Sequence, residues 1–198
     1  MQRVISIAVG VVAILFAGVS HAASIDIDLN DFLAVNVFVE LDGSAALLLE
    51  TGVGIDPRLD NNPILGDPNI IIPGVGVSML FDYRFFDGPD NDSDEFLAYL
   101  YDASNPGAPN YGFPIPGFEF SVTSDSSGTV EFDLSSLTTL ILGMKIILRE
   151  DLGDSSAPDS SVIIENMRLT AVPAPAAIWL FGSALIGFVG FGKRRNAA

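Results

Sequence analysis

The side chains that could do chemistry in this chain are mostly carboxylates. The sequence has 25 Asp and Glu against nine Lys and Arg, a single histidine, His21, and no cysteine. Ser-His-Asp and Cys-His catalysis need a histidine or a thiolate, and zinc sites rely on the same ligands. Glycoside hydrolysis needs only two carboxylates, but in a chain this acidic some pair always lies close together. The residue types therefore predict a protein that is not an enzyme.

The densest group of carboxylates lies in FDGPDNDSDEF, residues 86–96. Calcium binds several hard oxygen ligands and tolerates irregular geometry. The candidate calcium ligands in this stretch are Asp87, Asp90, Asn91, Asp92 and Asp94. The stretch is not an EF-hand loop, because Glu95 stands where that loop has glycine. The alternative is a solvated acidic turn between two strands.

A second candidate site is aromatic. The stretch NPGAPNYGFPIPG, residues 105–117, places Tyr111 and Phe113 between prolines in a predicted loop. Loops on a rigid scaffold often carry binding surfaces, and aromatic rings can stack on sugars. Tyr99 and Tyr101 precede this loop and are further candidates for an exposed platform. The alternative is that Phe113 plugs the edge of the fold.

The elements that position these residues are predicted to be β-strands. About eight segments alternate apolar and polar residues with a period of two, which places one face of each strand in a core. These segments are 32–41, 44–50, 77–86, 95–102, 117–124, 128–134, 138–150 and 161–172. Turns rich in Gly, Pro, Asn and Asp separate them, and DLSSLTTL, residues 133–140, is predicted to be a loop leading into a strand.

This pattern predicts an all-β fold for residues 23–171. Short strands separated by turns are typical of an antiparallel β-sandwich, here of jelly-roll type. An immunoglobulin-like strand order is the alternative topology. An N-terminal signal helix and a C-terminal transmembrane helix are predicted to flank this domain.

Residues 1–22 have the layout of a secretory signal peptide. Arg3 precedes an unbroken apolar run from Val4 to Val19, and small residues follow at Ser20 and Ala22. Signal peptidase recognises small residues in this position. We therefore predict that the leader is removed on export, which leaves a mature chain without histidine. A retained membrane anchor is the alternative.

Residues 172–198 have the pattern of a membrane segment with a basic end. The residues from Ala176 to Gly192 are apolar or small, and Lys193, Arg194 and Arg195 follow them. A helix of this length measures roughly 25 Å, just short of the ~30 Å apolar core of a bilayer. Basic residues stay on the cytoplasmic side, so they are predicted to stop transfer. A plain C-terminal membrane anchor is the alternative to a sorting signal.

The sequence VPAPAAIWLFGSALIGFVGFGKRR, residues 172–195, resembles a PEP-CTERM sorting signal. Such signals have a short Pro-x-Pro motif, an apolar helix and an Arg-rich cluster in that order. Val172, Pro173, Ala174 and Pro175 stand in the place of the motif, with Ala174 where the family usually has Glu. The resemblance implies processing by an exosortase at the inner membrane, and delivery to the cell surface or extracellular matrix of a Gram-negative bacterium.

Charge narrows the choice of partners. All 25 acidic residues but only five of the nine basic ones lie within residues 23–171, which gives this domain a net charge of −20. Such a surface repels nucleic acid and anionic lipid. The sequence predicts a non-enzymatic exported surface or matrix protein that an exosortase sorts. The alternative is a carbohydrate-binding, lectin-like module with structural calcium and an extracellular polysaccharide as partner.

The calcium hypothesis predicts a thermal shift. Millimolar calcium should raise the melting temperature, because a ligand that binds only the folded state stabilises it. Asp92→Ala should abolish the rise, whereas Asp26→Ala, which removes an acid outside the stretch, should leave it intact. Thermal unfolding with and without calcium measures this, and an unchanged wild-type melting temperature would contradict the hypothesis.

Overall fold

The computed structural model describes residues 23–51, 55–88, 94–149 and 160–171. Within these ranges the chain is all β, with eleven strands and two short 3-10 helices. Ser24–Ala171 form one compact unit. No helix of the described residues is long and apolar enough to cross a membrane. The predicted signal helix and transmembrane tail lie outside the described residues and stay predictions.

The strands form two sheets, and neighbouring strands along the order of each sheet pair in antiparallel fashion. Sheet I has the order β3-β4-β11-β6-β9, with β1 also paired to β11, and sheet II has the order β2-β5-β10-β7-β8. The strands are β1 (Ala23–Asp26), β2 (Leu33–Val35), β3 (Val37–Val39), β4 (Ala45–Leu49), β5 (Arg58–Asn61), β6 (Val77–Phe86), β7 (Glu95–Asp102), β8 (Glu119–Val122), β9 (Ser126–Asp133), β10 (Leu142–Arg149) and β11 (Ser161–Ala171).

The chain crosses repeatedly between the two sheets from β4 onward. Strands β4, β6, β9 and β11 lie in sheet I, and β5, β7, β8 and β10 lie in sheet II. The pairing is nested, because β4 pairs with β11 and β5 pairs with β10. This order is that of a jelly roll. The predicted antiparallel β-sandwich is confirmed for the described residues.

Strand β6 shows how the alternating pattern builds the core. Four of its side chains are buried between the sheets: Met79, Phe81, Tyr83 and Phe85. On the opposite sheet Phe96 of β7 receives them, with ring centroids 5.3 Å from Tyr83 and 6.4 Å from Phe85. Full burial of a large apolar side chain stabilises the fold by about 1.5–3 kcal/mol. The same alternation sends Arg84 and Phe86 to the outer face of sheet I.

The segment predicted as one strand over residues 32–41 is two strands. Strand β2 belongs to sheet II and β3 to sheet I. Asn36 between them has a φ of 55°, a left-handed conformation that Asn adopts more readily than most residues. The prediction was wrong because the residues on both sides of Asn36 are apolar and show no break.

Two further elements differ from the predictions. Strand β5 lies in a stretch that was predicted to be a turn; Leu59 is buried in the core, whereas Arg58 and Asp60 are partly exposed. Leu134–Ser136 form a 3-10 helix where a loop was predicted, because the Asp133 carboxylate accepts a hydrogen bond from the Ser135 amide at 2.9 Å and caps the turn.

Candidate functional site

The outer face of sheet II carries the tyrosines that the sequence singled out. Strand register places five residues in one row across this sheet: Leu33, Asp60, Lys145, Tyr99 and Glu119. Gly143 and Tyr101 pair directly in a neighbouring row. Polar and aromatic side chains therefore meet on one face, as the period of two requires.

The tyrosines on this face are packed rather than exposed. Tyr101 is fully buried and Tyr99 is nearly so. The Tyr111 ring meets the Tyr101 ring edge to face, with centroids 6.0 Å apart, and the Tyr99 hydroxyl donates to the Gly112 carbonyl at 3.2 Å. The loop after β7 thus lies against the sheet. The expectation that Tyr99 and Tyr101 form an exposed platform was wrong, because their outward direction does not exclude cover by a loop.

The two aromatic residues of this loop have different environments. Tyr111 is half-buried and its hydroxyl accepts a hydrogen bond from the Asn62 amide nitrogen. Phe113 is 63% exposed. Phe113 therefore does not plug the edge of the sandwich, whereas Tyr111 serves the packing of the loop. The structure does not bring the two rings together as one stacking surface.

A polar cluster lies beneath the same loop. The Tyr101 hydroxyl lies 3.0 Å from Asp60 Oδ1 and 3.2 Å from the Asn61 carbonyl, both as acceptors. Lys145 Nζ lies 3.7 Å from Asp60 Oδ2 and 5.5 Å from the centre of the Tyr101 ring. These contacts join β5, β7 and β10 at one point.

Burial sets the protonation of this cluster. Desolvation raises the pKa of the Asp60 carboxyl, against the opposing effects of Lys145 and the Tyr101 hydrogen bond. Desolvation and the nearby Asp60 charge also raise the pKa of the Tyr101 phenol above its ordinary value. A phenol held in its neutral form donates a hydrogen bond but is no base. The contacts of the cluster hold β5, β7 and β10 together.

The acidic stretch is only partly described. Asp90, Asn91 and Asp92 lie outside the described residues, so the calcium hypothesis stays a prediction. Asp94, directly before β7, is fully buried, so at this residue the alternative of a solvated turn is wrong. Within the described ranges no three acidic, histidine or cysteine side chains gather as a metal site.

An open cleft lies where the end of β6 meets the start of β9. Its volume is about 390 Å³, and it is lined by Arg84, Phe85, Phe86, Asp125, Ser126 and Ser127. Phe86 is 51% exposed, so half of its ring surface is open to solvent. Phe85 also lines the cleft, although its side chain is buried between the sheets. An exposed aromatic ring thus shares a concave surface with charged and hydroxyl groups.

Hydrogen bonds fix the polar side chains of this cleft. Arg84 Nη2 lies 2.9 Å from Glu165 Oε2 on the neighbouring strand. Asp125 Oδ1 accepts from the Asp87 amide at 2.8 Å, which holds the carboxylate beside the end of β6. Ser127 pairs with Arg84 in the strand register. The groups are pre-positioned, which lowers the ordering cost of binding a ligand.

Sequence reasoning missed this cleft, although one signal was present. Phe85 and Phe86 are consecutive in a strand, and consecutive strand residues point to opposite faces. Because Phe85 continues the buried series of β6, Phe86 had to face outward. An outward phenylalanine in a strand next to an arginine is the pattern that could have found the site. The contribution of Asp125 depends on the pairing of β6 with β9, which the sequence does not reveal.

The residues of the sorting tail have no described environment. Val172, Pro173, Ala174 and Pro175 lie outside the described residues, as do Lys193, Arg194 and Arg195. Their roles as a sorting motif and as a membrane stop remain predictions.

Comparison with known proteins gives distant likenesses only. No protein-family model matches the chain, and no curated protein matches it. Solved structures similar to it include the CBM22-1 xylan-binding domain from Paenibacillus barcinonensis Xyn10C, with a TM-score of 0.43, 8% identity, and coverage of 78% of this chain and 97% of that one. A CBM4 structure has a TM-score of 0.41 and 15% identity, and covers 72% of this chain and 96% of its own. Likenesses this distant carry no argument about a ligand.

Gly143→Ala tests how tightly the Tyr101 cluster is fixed. A Cβ atom on Gly143 would lie 2.2 Å from Tyr101 Cζ, and overpacking of this kind costs about 1–3 kcal/mol. The matched control is Gly128→Ala, since its Cβ would meet the Tyr83 ring at an ordinary 3.5 Å and the expected change is within about 0.5 kcal/mol. Denaturant unfolding measures both, and equal stabilities would show that the Tyr101 ring moves aside at little cost.

Proposed function

We propose that this protein is a non-enzymatic carbohydrate-binding β-sandwich, and that its ligand binds in the cleft around Phe86. The observation that carries the proposal is the exposed Phe86 residue, which lines an open cleft together with Arg84 and Asp125. Small-ligand sites combine an apolar surface with a few well-placed polar groups, and this cleft has that composition.

The chemistry of the cleft suits a sugar. The C–H face of a pyranose ring packs on an aromatic ring, and its hydroxyls both donate and accept hydrogen bonds. Phe86 offers the aromatic face, Arg84 offers N–H donors, and Asp125 offers acceptor oxygens. Ser127 supplies a hydroxyl that can do either. A ligand made of sugar rings would thus find partners for both of its surfaces.

The same side chains do not support catalysis. The Ser126 hydroxyl shares a hydrogen bond of 2.7 Å with the Tyr83 hydroxyl, and neither group is a base able to activate a nucleophile. Among the described residues that line the cleft, Asp125 is the one carboxylate, whereas glycoside hydrolysis needs two. Binding without turnover is therefore the function that fits this cleft.

Delivery to the cell exterior is the second part of the proposal. The leader over residues 1–22 supports export through signal peptidase, and the tail over residues 172–198 supports sorting by an exosortase at the inner membrane. The expected destination is the surface or extracellular matrix of a Gram-negative bacterium, where polysaccharide is abundant. A net charge of −16 for the whole chain is compatible with this setting, since it keeps an exported protein soluble.

Phe86→Ala tests the cleft. The wild-type protein is titrated calorimetrically with a panel of neutral, acidic and amino-bearing oligosaccharides. Loss of the Phe86 ring should weaken binding of any ligand by at least about tenfold, because the stacking contact and its buried area are removed.

Two controls separate this site from other exposed rings. Phe38→Ala removes a ring that is 68% exposed on the far edge of the same sheet, and it should bind like the wild type. Phe113→Ala tests the loop that the sequence favoured and should also bind like the wild type. The proposal fails if no panel member binds, or if Phe113→Ala and not Phe86→Ala loses binding.

Intact mass tests the sorting proposal. The mass of the protein recovered from matrix or medium should lack the leader and the residues near and beyond Pro173. A mass that keeps the residues from Lys193 to Ala198, found only in membranes, would instead identify a plain membrane anchor.

A further inference from the structure

We propose that the ligand of the Phe86 cleft is a cationic polysaccharide that carries free amino groups; this rests on the carbohydrate-binding function proposed above. Three observations choose this chemistry over neutral and anionic polymers. They are the ion pair of Arg84, the carboxylate of Asp125 and the charge of the domain.

The positive charge of the cleft is already matched. Arg84 Nη2 and Glu165 Oε2 are 2.9 Å apart, so the guanidinium has a carboxylate partner before any ligand arrives. An anionic sugar would have to compete with Glu165 for this arginine. Asp82 lies opposite Glu165 in the register and adds a second carboxylate to the same face. Hydrogen bonds from Thr129 and Asn166 lower the pKa of Asp82, which favours its charged form.

Asp125 is the carboxylate that can meet a ligand cation. Its Oδ1 atom accepts from the Asp87 amide at 2.8 Å, which fixes the group without using a positive charge. Asp125 and Phe86 line the same cleft, and the face of an aromatic ring also attracts cations. A sugar ring stacked on Phe86 would therefore place an ammonium substituent near both the ring and the Asp125 carboxylate.

The electrostatic field of the whole domain also favours a cationic ligand. With 25 acidic and five basic residues over 23–171, the surface concentrates polycations and repels polyanions at low ionic strength. This field alone would attract any cation to any part of the surface. The cleft differs because it adds the aromatic ring and the hydroxyls that a sugar needs. The combination selects an amine-bearing sugar over a basic peptide or a free metal ion.

The experiment compares three oligomers that differ only in the substituent at C2, with an anionic oligomer as a separate probe. The probes are β-1,4-linked glucosamine, N-acetylglucosamine and glucose oligomers of equal length, together with a polygalacturonate oligomer. The glucosamine oligomer should bind the wild-type chain up to about fivefold more tightly than the glucose oligomer at low salt, because fivefold is the upper range for an exposed ion pair. This advantage should shrink as salt is added, because salt screens the charges, and polygalacturonate should not bind.

Two variants locate the effect. Asp125→Asn keeps an acceptor for the Asp87 amide and should remove most of the glucosamine preference, so that the glucosamine and glucose oligomers bind about equally. Glu119→Gln removes one exposed charge from the other sheet and should retain the preference. If Glu119→Gln loses as much preference as Asp125→Asn, the effect is bulk charge and the inference is overturned.

The outcomes separate this inference from the function on which it rests. Equal binding of the glucose and glucosamine oligomers, with both lost in Phe86→Ala, overturns the amino-sugar inference and leaves carbohydrate binding in place. Tighter binding of polygalacturonate than of the glucosamine oligomer would likewise overturn the amino-sugar inference and leave carbohydrate binding in place. Absence of binding by every oligomer contradicts both proposals.

Discussion

The aromatic contact between the two sheets is the interaction on which the rest of the structure depends. A chain without cysteine has no disulfide to hold the sandwich closed, so the facing rings of β6, β7 and β8 must do it. Tyr83 illustrates this, because its ring lies 5.3 Å from Phe96 and 5.0 Å from Phe120 on the opposite sheet. This aromatic layer fixes which face of β6 points into the core. The alternate residues of the same strand must therefore point outward. The packing of the core thus determines which side chains of β6 are available to the cleft.

The excess negative charge is stabilised by local hydrogen bonds to the carboxylates more than by ion pairs. The ion pairs within the described ranges are few: Arg84–Glu165, Lys145–Asp60 and Arg149–Glu95. Arg84–Glu165 and Arg149–Glu95 are partly exposed and contribute little, whereas Lys145–Asp60 is mostly buried beneath the loop. Several carboxylates instead accept hydrogen bonds from nearby hydroxyls, which lowers the pKa of Asp42, Asp82 and Asp133. A lowered pKa contributes stability that is present above the ordinary carboxyl pKa and is lost as the pH falls. The acidic domain is therefore suited to neutral surroundings.

The sequence allowed much of the fold to be predicted but little of the candidate site. Strands β6 and β7 were predicted to the residue, because long alternating runs such as 77–86 leave little freedom. Strand β5 was missed because only Leu59 and Asn61 of its four residues are buried. The exposed platform at Tyr99 and Tyr101 was wrong for a different reason: alternation shows which face a side chain takes, but not which loop lies over that face. The Phe86 cleft needed the pairing of distant strands, which no local pattern contains.

The connection between β8 and β9 relates ligand binding to the stability of one edge of the sandwich. Strands β8 and β9 are the edges of the two sheets on one side of the sandwich, and the short segment that joins them contains Asp125. This segment connects the two sheets at that side of the sandwich, just as Asn36 connects them at the opposite side. A ligand that contacts both Phe86 and Asp125 would link this connecting segment to the interior strand β6. It would thereby oppose fraying at that edge. Binding and resistance to local unfolding would then be coupled, so a polymer that crosslinks many copies of this protein would also stabilise each copy at this edge.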